Sequence, residues 1–198
     1  MNDALPCLKI NRQHKQPASG LSICRLTGIV LLILPFSAMP QQQVSHLSAT
    51  VELRPLSGSG VRGTLHMQQH DRQVVITGEV NGLTPGHHGI HVHTNGNCDS
   101  PDGQSAGGHY NPSGAMHGGP GSPNAHIGDL GNIEADPSGR AIVQISSERI
   151  SLTIFGMNSI IDRSIVIHAG EDDLKTDSAG NSGARVACGF IEQDMIRM

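Results

Sequence analysis

Residues 94–132 carry ten Gly and four Pro and follow neither a helical nor a strand period. About forty residues without secondary structure are uncommon inside a compact domain, because the chain there gains little to offset its lost freedom. Such a stretch is either disordered or ordered by something other than an apolar core. Its polar residues indicate what: His109, His117, His126 and then Asp129 punctuate it, next to glycines (Gly107, Gly108, Gly118, Gly119, Gly128) that let the backbone bend so the side chains converge. Three imidazoles and one carboxylate fill a tetrahedral shell, the closed pattern of a structural zinc ion. Binding of such an ion would supply the ordering free energy. Just upstream, His91 and His93 are one residue apart on a strand-like run, so both rings face the same side. His168 ends the apolar run Ser164–Ile167 and can reach a site on a neighbouring strand. Seven of the 12 histidines lie between residues 87 and 126.

Around this loop the pattern is short β-like runs and turns. The runs are Ser48–Leu53, Val61–Met67, Gln73–Val80, His87–His93, Arg140–Ile145, Ser164–His168 and Arg185–Ile191, with turns at Leu83–Gly86 and Asp136–Gly139. They predict about eight strands, no helix of any length, and an antiparallel sandwich or barrel. A second polar loop covers residues 169–184. With no Trp, one Tyr and three Phe, the core must rest on Val, Ile and Leu. The same scarcity of rings, with a net charge of −4, argues against nucleic-acid binding.

The first forty residues read differently. Lys9, Arg12, Lys15 and Arg25 face a single acid, Asp3, and are followed by the apolar run Leu26–Met39. That run is too short to span a bilayer, which needs about 20 residues. A basic start, a short apolar stretch and small residues at Ser37 and Ala38 form a secretory signal. The expected organisation is a targeting segment at 1–40 and one domain at 41–198, exported to the periplasm and free of the membrane after processing. The cleavage point is not fixed, and a true start codon further downstream stays open. Cys24 precedes the apolar run, which argues against a lipid-anchored cysteine. Residues 41–198 carry nine Lys and Arg against 16 Asp and Glu, so the processed chain is more acidic. They also keep only Cys98 and Cys188. An oxidising compartment favours pairing of the two over two free buried thiols. The closed loop of about 90 residues would contribute roughly 4–5 kcal/mol.

Taken together, several motifs resemble the copper–zinc superoxide dismutase family, in its exported bacterial type. They are Gly89-Ile90-His91-Val92-His93, Gly108-His109-Tyr110-Asn111-Pro112, His117-Gly118-Gly119-Pro120, His126-Ile127-Gly128-Asp129-Leu130-Gly131-Asn132, Val166-Ile167-His168 and Gly183-Ala184-Arg185-Val186-Ala187-Cys188-Gly189. The likeness runs from about residue 46 to 192. It implies an all-β fold, an eight-stranded Greek-key sandwich or flattened barrel with long metal-binding and electrostatic loops. It implies one copper per subunit on His91, His93, His109 and His168, and one zinc per subunit on His109, His117, His126 and Asp129. His109 is then shared, one ring nitrogen to each metal.

The resemblance also assigns roles beyond the ligands. Arg185 matches the channel arginine that draws in superoxide, with a smaller contribution from Lys175. His109 would supply a proton, and Asp172 would link a copper histidine to a zinc histidine, Asp173 being the neighbouring candidate. Cys98 and Cys188 match the family disulfide. Ile90 and Tyr110 stand where the family often has Phe, and Ala179 where it often has Thr. His46, His66, His70 and His87 receive no role, and His88 reads as a hydrogen-bonded structural residue. The implied activity is disproportionation of superoxide to oxygen and hydrogen peroxide through alternating copper redox states. The alternative from another class is a catalytically weak periplasmic copper-binding or chaperone protein of the same fold. A zinc hydrolase fits less well, because its metal keeps an open position. Monomer and homodimer both remain open.

Overall fold

The computed structural model describes residues 46–194, which belong to one compact unit. The expected targeting segment lies outside the described residues. Among the described residues, no helix is long and apolar enough to cross a membrane.

Among the described residues nine strands follow in order: β1 Leu47–Pro55, β2 Arg62–His70, β3 Gln73–Asn81, β4 Gly86–His93, β5 Asp129–Ala135, β6 Arg140–Ser147, β7 Ser164–His168, β8 Arg185–Phe190 and the short β9 Glu192–Gln193. Their order in space is β2-β3-β6-β5-β4-β7-β8-β1-β9, and β1 also pairs with β2. That second pairing closes the first eight into an antiparallel barrel, which leaves no free edge apart from the short β9 addition. The jump from β3 to β6 and from β4 to β7 gives the Greek-key connectivity expected from the sequence.

Alternation builds the barrel. Ala49, Val51 and Leu53 on β1, Leu65 and Met67 on β2, Val74, Ile76 and Val80 on β3, and Ala141 and Val143 on β6 all face a shared interior. Fully burying a side chain of the Val or Leu class is worth about 1.5–3 kcal/mol, so the interior needs no large ring. Two strands, β4 and β7, are buried on both faces. β4 is buried from His88 to His93, and β7 is buried throughout. On β4, Ile90 and Val92 face the core, while His91 and His93 lie under the long loop. On β7, Ile165 and Ile167 join the main core, and Val166 packs outside it with Leu56, Ala106 and Cys188. Both strands are therefore held from two sides, a rigid base for side chains that must not move.

The sequence pattern does not predict β5. Its residues Asp129–Ala135 include Gly131 at φ 87 and a register shift against β4 between Gly89 and His91. The shift marks a bulge, which hides the two-residue period. The stretch read as one loop thus ends at residue 128. Residues 94–128 are ordered by several ties besides any metal. Tyr110 is buried, exchanges backbone hydrogen bonds with Val92 and Gly128, and donates its hydroxyl to the Met157 carbonyl at 2.7 Å. Cys98 is bonded to Cys188 of β8 across 90 residues of sequence.

Replacing Cys98 with Ser is expected to remove up to about 4–5 kcal/mol of stability, the loop-closure value for a crosslink of this span. Chemical denaturation of the oxidised parent and the variant measures it; equal midpoints would contradict the assignment.

Candidate metal centre

Six histidines and one aspartate converge where β4, β7 and the long loop meet. His91 and His93 are fully buried on β4. His168 ends β7, whose Val166 pairs with His91. His109 is brought alongside by an isolated bridge to His93 and by hydrogen bonds from Thr94 N–H to the Gly108 carbonyl and from Tyr110 N–H to the Val92 carbonyl. Asp129, the first residue of β5, is the register partner of His91. His117 and His126 come from the loop and are buried. Two overlapping sets result: His91, His93, His109 and His168, and His109, His117, His126 and Asp129. Within each set the ligand atoms lie within 4.8 Å of one another. His109 belongs to both.

The outer hydrogen bonds fix which nitrogen of each ring is bare. His93 Nδ1 donates to the Gly107 carbonyl at 2.9 Å, and His168 Nδ1 to the Gly183 carbonyl at 3.1 Å. Both Nε2 atoms are thus lone pairs, and they face each other 3.4 Å apart. His91 Nε2 lies 2.8 Å from Asp172 Oδ2, which leaves its buried Nδ1 without a partner. His109 Nε2 is likewise buried and partnerless. Four nitrogen atoms turned inward without protons repel one another unless a cation sits among them. An all-imidazole set suits copper.

The second set is tighter. Nδ1 of His109, His117 and His126 stand 2.9, 3.2 and 3.1 Å from Asp129 Oδ1. A tetrahedron of ligands about 2.0–2.1 Å from a central ion has edges of about 3.3 Å, close to these spacings. His117 Nδ1 is near the carboxylate yet not aligned for a hydrogen bond. The other oxygen, Oδ2, accepts the backbone N–H groups of Gly118 and His126 at 3.1 and 3.0 Å. The residues present fit a copper ion in the first set and a zinc ion in the second.

Electrostatics prepares the ligands. Burial pushes the pKa values of His91 and His93 well down, with help from neighbouring His109. Burial also lowers His109, and brings His168 from the ordinary 6.5 to about 4. A neutral imidazole is the ligating form, so desolvation favours ligation. For Asp129, burial works upward but is outweighed by hydrogen bonds from His109 and Gly118, leaving its pKa lowered.

Asp172 ties the sets together: Oδ2 meets His91 Nε2 and Oδ1 meets His117 Nε2, each at 2.8 Å. Asp173 does not reach the imidazoles; it caps its own loop through Lys175 N–H, Thr176 and Asn181. His88 joins the carbonyls of His168 and Thr84, each at 2.8 Å, a hydrogen-bonded structural residue as its position suggested. Arg185 is the register partner of His168 and donates to the Gly103 carbonyl. With His93, His109, His168 and Ala179 it lines a cleft of about 230 Å³, wide enough only for a small ligand. Lys175 is exposed. A larger hollow of about 380 Å³ beside Cys98 and Phe190 includes none of the six histidines.

Three supporting residues escape a reading of the sequence. Asn132 clamps Asp172 by donating to its carbonyl at 2.9 Å and accepting from its N–H at 2.8 Å. Asp177 accepts the His117 N–H at 2.9 Å. Gly180, at φ 60, packs so closely that a Cβ would strike the Asp172 carboxylate and lie 2.7 Å from His117 Nε2. Only the DLGN run and the glycines hinted at them, and polar loops commonly contain both.

Comparison with known proteins agrees with this geometry. The family model for copper/zinc superoxide dismutase (SODC) matches residues 61–191. Extracellular superoxide dismutase (Cu-Zn) of Brugia pahangi is 41% identical over 161 residues, 76% of this chain and 79% of that protein. Superoxide dismutase (Cu-Zn) 5 of Dictyostelium discoideum is 44% identical over 145 residues, 69% of this chain and 93% of that protein.

Gly180→Ala should displace Asp172 and lower zinc affinity by about 10–100-fold, the usual cost of losing a group that orients ligands. Competition with a chromogenic chelator measures this; unchanged affinity would show the carboxylate to be dispensable. In the metal-free protein, lowered histidine pKa values mean that the unfolded chain binds protons the native state refuses. Stability should therefore hold above pH 6.5 and fall as pH drops through about 4. Thermal melts across that window give the sign.

Proposed function

The chain belongs to the copper/zinc superoxide dismutase family, and from that premise we propose that it is an exported enzyme that disproportionates superoxide at the centre built on His109. Two superoxide anions and two protons become one oxygen and one hydrogen peroxide, so charge and atoms balance without another reactant. In this reading His91, His93, His109 and His168 hold copper, and His109, His117, His126 and Asp129 hold zinc. Copper would supply one-electron chemistry between two oxidation states, and zinc a fixed positive charge without redox chemistry.

The chain's own residues do the rest. Arg185, half-buried at the cleft, offers a positive group to a small anion on an otherwise acidic protein. Its hydrogen bond to Gly103 holds the side chain in place. His109 Nε2, buried and unpartnered, is where a proton can be held and passed to the reduced product. Asp172 keeps His91 and His117 in the tautomers that turn Nδ1 inward. The cleft is large enough to admit a diatomic anion.

Export is supported by the basic and apolar start of the sequence, by the Cys98–Cys188 disulfide and by the extracellular relative. We place the targeting segment at 1–40 and the working domain at 41–198, with the periplasm as destination. The observation that carries the enzyme reading is the position of His109 in both ligand sets. A copper buffer needs neither a shared histidine nor an arginine at the cleft.

The test is superoxide decay with the copper- and zinc-loaded protein, expected to run far above the buffer rate. Arg185→Ala should slow it by roughly tenfold and weaken its dependence on salt, while copper content stays unchanged. Full activity in that variant, or none in the loaded parent, would favour the buffer.

A further inference from the structure

Outside the metal centre, one other pair of imidazoles stands close. His46 directly precedes β1, and His70 ends β2. The register Leu47↔Gln69 sets His46 opposite His70 across the two strands. Both are exposed, and their ring centres are 4.6 Å apart with the planes tilted by 55°. All other close imidazole pairs among the described residues lie within the metal centre.

The spacing carries chemical meaning. Two imidazoles bound to one ion at about 2.0–2.1 Å, at adjacent positions of its shell, have ring centres about 4.5–5 Å apart. Pairs within a single ligand set here span 3.9 to 6.5 Å, with His91–His168 at 4.9 Å and His93–His109 at 5.1 Å nearest that region. His70 lies on a paired strand and His46 directly precedes the first paired residue, Leu47, so ligation would order little besides two side chains. The turn after His70 adds one charge of each sign, Asp71 and Arg72, so no net repulsion of a cation arises there. His66 shares the outer face of β2 but stands four residues away, about 13 Å along the strand, too far to join.

We propose that His46 and His70 form an accessory surface site for a divalent transition-metal ion, with water completing the shell. Copper(II) is the preferred occupant over nickel or zinc by the general affinity order for nitrogen ligands. The site is independent of the buried centre and exchanges its ion freely with solvent.

The experiment uses the full chain loaded with copper and zinc, titrated with Ni²⁺ as the probe in a calorimeter. One further equivalent is expected. His46→Ala and His70→Ala should each weaken it at least tenfold, and His66→Ala should leave it within twofold. Should either alanine variant shift the melting temperature, His46→Gln and His70→Gln replace it. No further equivalent, or equal binding in the His46 and His66 variants, overturns the proposal. The readout is a difference between parent and variants, so it stands apart from success or failure of superoxide decay.

Discussion

Lone pairs aimed at each other are the constraint on which this structure turns. His93 and His168 donate their Nδ1 protons in hydrogen bonds to backbone carbonyls, so their bare Nε2 atoms face each other 3.4 Å apart. Three further imidazole nitrogens crowd one oxygen of Asp129. Burial denies His93, His109 and His168 the protons that would relieve the repulsion. The arrangement is costly for a protein alone and favourable around two cations. The affinity for metal is thus built before any metal arrives, and the barrel must be stiff enough to hold that strain. Burial of β4 and β7 on both faces provides that stiffness.

The long loop shows how labour is divided. Its start is tied to β8 by Cys98, its middle is pinned by Tyr110 against Val92 and Gly128, and its end becomes β5. These ties already place His109. His117 and His126 lie between Tyr110 and β5, where the ties are sparser. There Asp129, Asp172 and Asp177 take over, bonding the rings or the adjacent backbone. A bound zinc ion would therefore order the outer part of the loop most, and the shared ring least. The same disulfide steadies Gly103, whose carbonyl holds Arg185.

The alternating strands were legible in the sequence because one face of each is buried and the period of two survives. The residues that converge in the centre were legible because imidazole and carboxylate have few other reasons to gather in a glycine-rich loop. β5 was not, since a bulge and Gly131 break its alternation and Asp129 reads as loop. Asn132, Asp177 and Gly180 were not either. Each acts through contacts between separate stretches of irregular chain, and no local pattern encodes that. The choice between Asp172 and Asp173 also needed coordinates, because adjacent carboxylates on an irregular loop point in directions that spacing does not determine.

Histidine count alone would have misled. The exposed pair on β1 and β2 is as close as several pairs inside the centre, so proximity does not separate a tight site from a loose one. Desolvation and a second partner do. His91, His93, His117 and His168 each have a carbonyl or a carboxylate on the far side, which fixes the tautomer and holds the plane. The rings of His46 and His70 face water and can turn. An ion there would leave at little cost and be replaced by solvent at once, whereas an ion inside would leave unshielded lone pairs behind it. The difference between holding a metal and lending it a resting place lies in what surrounds the imidazoles, and only the fold supplies that.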